Sequence, residues 1–192
     1  MFARSLRRIA LLACLSVTQA YGVVSQVVTE IVFKENIAEL MLAGETWKYA
    51  NGDSYTGYWL HNKPHGKGTY QRLSGDVYTG DFRNGYMHGV GTYKSSNGDV
   101  YKGEFSQGLA TGYGELQYQN GNRYVGQWLA GTRHGQGKLF YRSGSIYDGS
   151  WINDAKEGKG LMTYRNGERY LGDYKSNLLH GHGIKIEADG ST

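Results

Sequence analysis

Six tyrosines, Tyr55, Tyr78, Tyr101, Tyr124, Tyr147 and Tyr170, follow one another at intervals of 23 residues, and six copies of that interval fill 55–192. A fixed period of this length confines a chain to a repeat architecture, in which each copy buries its apolar face only by stacking on its neighbours. With each tyrosine at position 0, position 2 is Gly57, Gly80, Gly103, Gly126, Gly149 and Gly172. Position 4 is always aromatic: Trp59, Phe82, Phe105, Trp128, Trp151 and Tyr174. Glycine also holds positions 11, 13 and 20 in every copy, from Gly66, Gly68 and Gly75 to Gly181, Gly183 and Gly190. Of 30 glycines, 24 belong to these four positions, so the glycine excess is architecture.

Positions 0, 2 and 4 alternate, which places both aromatics and the intervening glycine on one face of a strand. Positions 11, 13, 15 and 17 alternate likewise, so each copy reads as two short strands. Between them, position 7 is Asn62, Gly85, Gly108, Gly131, Asp154 and Asn177, residue types that tolerate positive φ and therefore mark a turn. A second turn carries Ser74-Gly75, Asn97-Gly98, Asn120-Gly121, Ser143-Gly144, Asn166-Gly167 and Asp189-Gly190. A two-residue turn there would reverse the faces, which favours a three-residue loop with its glycine in the left-handed region.

Tyr-x-Gly-x-aromatic followed by Gly-x-Gly at this period resembles the MORN (membrane occupation and recognition nexus) repeat family. The resemblance implies interaction and self-association roles, with phospholipid binding also proposed for the family. Asn51-Gly52, with Trp47 and Tyr49 before it, forms a half repeat ahead of the first full copy. The expected organisation is a capping segment at 21–46 and a sheet at 47–192, its half repeat at 47–54 and its copies beginning at 55, 78, 101, 124, 147 and 170. The fold class is all-β: a single-layer antiparallel meander of about 13 strands, roughly 60 Å long at about 4.8 Å per strand.

The strand glycines at positions 11 and 13 cost about 6–12 kcal/mol against alanine, so large rings must offset them. With position 4 opposite position 13, the missing Cβ would let the Trp or Phe ring lie across the neighbouring strand. Such a sheet needs covered ends. Upstream, Asn36 to Glu39 has capping-box spacing before an apolar run to Leu42, which predicts a short helical cap. Downstream, Lys185 and Glu187 replace the apolar residues of positions 15 and 17, charges that discourage pairing at a sheet edge.

Residues 1–20 carry Arg4, Arg7 and Arg8 ahead of an apolar run from Ile9 to Val17 and a small residue at Ala20, the three parts of a cleaved export signal. The expected location is secreted or periplasmic, the alternatives being a lipid anchor at Cys14 or a mitochondrial presequence. Cleavage after Ala20 lowers the formal charge of +4 to +1, so the basicity belongs mainly to the leader and no nucleic-acid partner is expected.

Position 10 holds His65, His88, His134 and His180, but equivalent atoms in adjacent copies stand roughly 10 Å apart, too far to share a zinc ion. These histidines read instead as hydrogen bonders at turns and strand starts. No Gly-x-Gly here opens a helix, and no lysine after glycine is followed by Ser or Thr, so dinucleotide and phosphate loops are absent. Neither catalytic residues, cofactor nor metal is expected. Lys63, Lys67, Arg72, Arg83, Lys94 and Lys102 are interleaved with Asp76, Asp81, Asp99 and Glu104, a mixed solvated surface. What remains is a non-enzymatic scaffold or binding module for a protein partner or a second copy of itself. The alternative is an envelope glycan or anionic lipid surface bound through an aromatic groove. Its candidate residues are Trp59, Phe82, Phe105, Trp128, Trp151 and Tyr174, with Tyr55, Tyr78, Tyr101, Tyr124, Tyr147 and Tyr170, which serve either packing or binding.

Overall fold

A computed structural model describes residues 46–192; the export signal and the helical cap expected from the sequence lie outside that range. The described chain is one antiparallel sheet of 13 strands, each hydrogen-bonded only to its neighbours in sequence. The strands are β1 (Thr46–Lys48), β2 (Ser54–Leu60), β3 (Lys63–Gln71), β4 (Val77–Arg83), β5 (Tyr86–Lys94), β6 (Val100–Ser106), β7 (Leu109–Gln117), β8 (Arg123–Leu129), β9 (Thr132–Phe140), β10 (Ile146–Ile152), β11 (Ala155–Thr163), β12 (Arg169–Lys175) and β13 (Leu178–Ile186). β1 is the half repeat, pairing Trp47 with Tyr55.

Both turn expectations are met, and the first gains a residue. Leu60 pairs with Lys63 across a two-residue loop, and His61 and Asn62 both have positive φ, the signature of a type I′ turn. Position 6 therefore adopts the left-handed region as well, at Asn84, Gln107, Ala130, Asn153 and Ser176. In the second turn the Arg72 N–H donates to the Asp76 carbonyl and the Gly75 N–H to the Arg72 carbonyl, closing a three-residue loop with Gly75 at φ 98°. That loop sets Tyr70 opposite Tyr78 and keeps both on one face.

The pairing of position 4 is corrected by the structure. Positions 2 and 13 oppose each other in one unbroken row, Gly57 to Gly68, Gly68 to Gly80 and on to Gly172 with Gly183. Beyond that row the hairpin register slips: Gly80 faces Gly91, but Asp81 faces His88, leaving Gly89 and Val90 as a bulge. Position 11 glycines occupy this bulge at φ of 57–71° in all six copies, where side chains are strained. Position 4 lies not opposite position 13 but opposite position 9 of its own copy, set by the two-residue turn, and position 11 of the copy before, set by the three-residue loop, as Phe82 faces Met87 and Gly66; the bulge brings position 2 opposite position 13.

The ring lying over the glycine row is therefore the tyrosine. A Cβ built on Gly160 would stand 2.5 Å from Tyr147 Cε2, and the Cα of Gly160 would lie 2.6 Å from a Cβ on Gly149. Each tyrosine hydroxyl donates to the carbonyl of position 3 beside the bulge, at 2.9 Å for Tyr55 on Tyr58 and 3.0 Å for Tyr124 on Gln127. Tyr101→Phe keeps the ring and strands the Glu104 carbonyl, now bonded at 3.1 Å. It is expected to cost about 1–2 kcal/mol in urea unfolding with an unchanged slope.

Candidate binding groove

Eleven edge-to-face contacts run from Trp59 to Tyr174, each of the first five tyrosines touching the position-4 ring of its own copy and of the next and Tyr170 that of its own, with centroids 4.9–5.6 Å apart and planes 79–90° apart. Such pairs contribute about 0.5–1.5 kcal/mol each beyond area burial. The ladder is the core of the molecule. Tyr55, Tyr78, Tyr124, Tyr147 and Trp151 are fully buried, Tyr101, Phe82, Phe105, Trp128 and Tyr174 nearly so, and Trp59 and Tyr170 are half-buried. The indoles are pinned too, Trp128 and Trp151 donating from Nε1 to the carbonyls of Gly114 and Gly137. Burial pushes the hydroxyls of Tyr55 and Tyr147 up to about 12 and those of Tyr78, Tyr101, Tyr124 and Tyr174 higher still.

What covers the ladder differs along the sheet, and position 9 decides it. The residues there are Pro64, Met87, Ala110, Arg133, Lys156 and Leu179. In the fourth copy the Arg133 guanidinium lies 4.4 Å from the ring centre of Trp151 and bonds Asp154 at 2.8 Å. In the fifth, the Lys156 ammonium stands 4.8 Å from Tyr147 and 5.7 Å from Tyr174. Cations thus roof the ladder in the C-terminal half. Over the first three copies the uncharged residues Pro64, Met87 and Ala110 take that place and leave a cleft above the rings. Two adjoining cavities of about 390 and 300 Å³ form one groove there, floored by Tyr78, Phe82, Tyr101, Phe105 and Trp128. One wall is position 9 with the type I′ turns at Gly85, Gly108 and Gly131; the other is Tyr70, Tyr93, Leu116 and Arg72. The sequence reading found the floor and missed this wall. Its signal was present: position 9 changes from apolar to cationic between Ala110 and Arg133.

The interleaved acids have structural partners. Position 21 accepts from the position 18 N–H of the next copy: Asp53 from Leu73, Asp76 from Ser96, Asp99 from Gln119 and Asn122 from Arg142, at 2.8–2.9 Å. That bond to Ser96 is the main reason the Asp76 carboxyl is held down at about 2. Position 3 acids accept bulge N–H groups, Glu104 from Tyr113 and Asp173 from His182. Lys67 pairs with Asp81, and Lys159 with Asp173, at 2.6 and 2.7 Å. At the sheet's end Lys185 pairs with Glu168 and Glu187, and β13 is exposed along nearly its whole length. The position 10 histidines depart from expectation: Nδ1 of His65 and of His134 is buried without a hydrogen-bond partner. Among the described residues no cluster of three metal-ligating side chains forms.

Hairpins stacked edge to edge, with one aromatic face and a partly open ladder, define a single-sheet β-hairpin repeat protein. The MORN repeat family matches residues 55–77, 78–100, 101–123, 124–146, 147–169 and 170–192, and the chain belongs to that family. No curated protein matches the sequence. Among solved structures, the chain is similar to the SAS-4 TCP domain of Drosophila melanogaster, solved in complex with a proline-rich motif of Ana2. They share 14% identity over 77% of this chain and 80% of that one, with a TM-score of 0.49. Similarity extends to the TCP10 domain of Danio rerio CPAP in complex with a peptide of STIL, at 12% identity, 74% and 73% coverage and a TM-score of 0.28.

Proposed function

We propose that the chain is a non-enzymatic protein-binding scaffold whose docking surface is the open stretch of the aromatic face between Tyr49 and Gly131. One observation carries this reading: the same ladder is roofed by the cations of Arg133 and Lys156 in the later copies, whereas a groove opens above it where Pro64, Met87 and Ala110 replace them. A sheet that needed only packing would gain from the same roof throughout. Concave, aromatic-lined clefts of this kind are where proteins take ligands. Export is part of the proposal and rests on the basic start and apolar run of residues 1–20; a mature chain beginning at Tyr21 is its expected mass-spectrometric sign.

The test is positional. A photoreactive residue at Leu109, on the groove wall, is expected to cross-link a protein partner in cells, whereas one at Val90, exposed in the position 12 bulge, is not. Ala110→Arg copies the Arg133 roof into the third copy. It should leave folding intact and abolish the Leu109 cross-link; cross-links from Val90 alone would move the docking surface off the groove.

A further inference from the structure

The groove wall carries backbone donors whose pattern selects a ligand conformation, an inference that rests on the docking surface proposed above. Position 9 is the second residue of the strand after each type I′ turn. Its neighbour at position 8 closes the turn with position 5, as Tyr86 does with Arg83. In an antiparallel ladder hydrogen-bonded pairs alternate with non-bonded ones, so the position 9 N–H faces away from its own hairpin and toward the next copy. There it meets the side chain of position 7. The Arg133 N–H donates to Asp154 Oδ1 at 3.0 Å and the Lys156 N–H to Asn177 Oδ1 at 2.9 Å. The counterparts of Met87 and Ala110 are Gly108 and Gly131, which have no side chain to accept; only their own N–H groups are used, on the carbonyls of Met87 and Ala110 at 2.9 Å. Pro64, facing Gly85, has no N–H to satisfy. Two amide donors therefore stand along the open groove, one copy apart, with no side-chain acceptor supplied by the fold.

One copy is two strands, roughly 9.6 Å at about 4.8 Å each. A polyproline II helix advances about 3.1 Å per residue with three residues per turn, so residues i and i+3 stand about 9.3 Å apart with their carbonyls on the same side. Those carbonyls have no internal partners. A β-strand fails the match, because residues three apart face opposite ways. An α-helix fails it as well, because its carbonyls are already bonded within the helix. The charge pattern agrees. Arg72 lines both halves of the groove with its side chain 53% exposed; its contact with Asp76 is long, at 3.5 Å, and that carboxylate also accepts from the Ser96 N–H and from Ser74. A donor-rich groove with an aromatic floor complements a ligand that brings acceptors and few donors, and proline brings a carbonyl without an N–H.

We propose that the groove over the first three copies binds a proline-rich segment in the polyproline II conformation, carrying an acidic residue against Arg72. The carbonyls of its residues i and i+3 accept from the N–H groups of Met87 and Ala110, and its rings pack on Phe82, Phe105 and Trp128.

The experiment titrates the full chain with an oligoproline peptide bearing one glutamate, with a Gly-Ser peptide of equal length and charge, and with an amphipathic helical peptide. Backbone amide shifts are followed by NMR. Oligoproline is expected to bind in preference to both others and to move the Met87 and Ala110 amide signals. Gly108→Asn with Gly131→Asn installs the acceptor that Asn177 supplies at φ 71°, so the fold should hold or gain stability while oligoproline affinity falls roughly tenfold. Unchanged affinity in that variant would overturn the proposal. A helical peptide that binds better, and is blocked by Ala110→Arg, would overturn it too while leaving the groove as the docking surface. If none of the three peptides shifts a groove signal while the Leu109 cross-link persists, the polyproline II ligand is likewise overturned; loss of that cross-link as well overturns both.

Discussion

Gly160→Ala is expected to remove about 3 kcal/mol or more of stability, although it adds a single methyl group to a strand residue with an ordinary backbone conformation. The new Cβ would stand 2.5 Å from both Cε2 and Oη of Tyr147 and 2.7 Å from its Cζ. The ring has nowhere to go. It is fully buried, its centroid is 5.3 Å from that of Trp151 and 5.0 Å from that of Tyr174, and its hydroxyl is anchored on the Ser150 carbonyl at 3.0 Å. Overpacking of this kind costs about 1–3 kcal/mol, and a displaced hydroxyl adds the loss of a hydrogen bond. Gly144→Asn is the control, because that glycine sits in a turn at φ 96° with its nearest neighbour 3.5 Å away, and asparagine tolerates the left-handed region. It should change stability by well under 1 kcal/mol. Urea denaturation compares the two. Since each copy is held only by its neighbours, a broken ladder at Gly160 should also split unfolding into two phases. A loss below about 1 kcal/mol for Gly160→Ala would show that the tyrosines do not lock the sheet.

The 23-residue frame makes strand count, turn placement and the aromatic face legible because each follows from a period and a residue type. Register across the hairpin is not legible in the same way. The bulge at Gly89 and Val90 leaves the spacing of side chains along the sequence untouched while displacing the pairing by two residues. Two glycines of one Gly-x-Gly thus have different jobs: Gly89 supplies φ 57°, and Gly91 supplies room beneath Tyr78. The site was half visible. Its floor follows from the conserved frame of the chain's own copies, whereas its wall lies at a position where the copies disagree. Averaging over copies hides Ala110 and Arg133, yet their difference decides whether the ladder is roofed. Likewise, the acids at positions 3 and 21 read as surface charge in sequence, and only the fold shows that they hold backbone N–H groups of bulges and neighbouring loops.

Alkaline pH should unfold the protein in one steep transition between pH 10 and 12. Burial raises the hydroxyls of Tyr55 and Tyr147 from an ordinary 10.0 to about 12, and those of Tyr78, Tyr101, Tyr124 and Tyr174 further. The direction of the effect follows by linkage. Below pH 10 both folded and unfolded chains keep these protons, and the ladder's stability is fully present. Above pH 10 the unfolded chain releases them while the folded chain retains them, so stability falls with every further increment and is lost as pH passes through the folded values. Six such tyrosines act together, which makes the fall steep. Cooperativity adds to it, because each ring is an edge-to-face partner of two others, and one phenolate under the sheet face takes the contacts of both neighbours with it. Tyrosinate absorbance and the near-ultraviolet circular dichroism of the packed rings should therefore change together. Tyrosinate that accumulates around pH 10 with the dichroism unchanged would mean that the hydroxyls are free to ionise in place, and that the bonds from Tyr55 to Tyr58 and from Tyr147 to Ser150 do not hold the ladder.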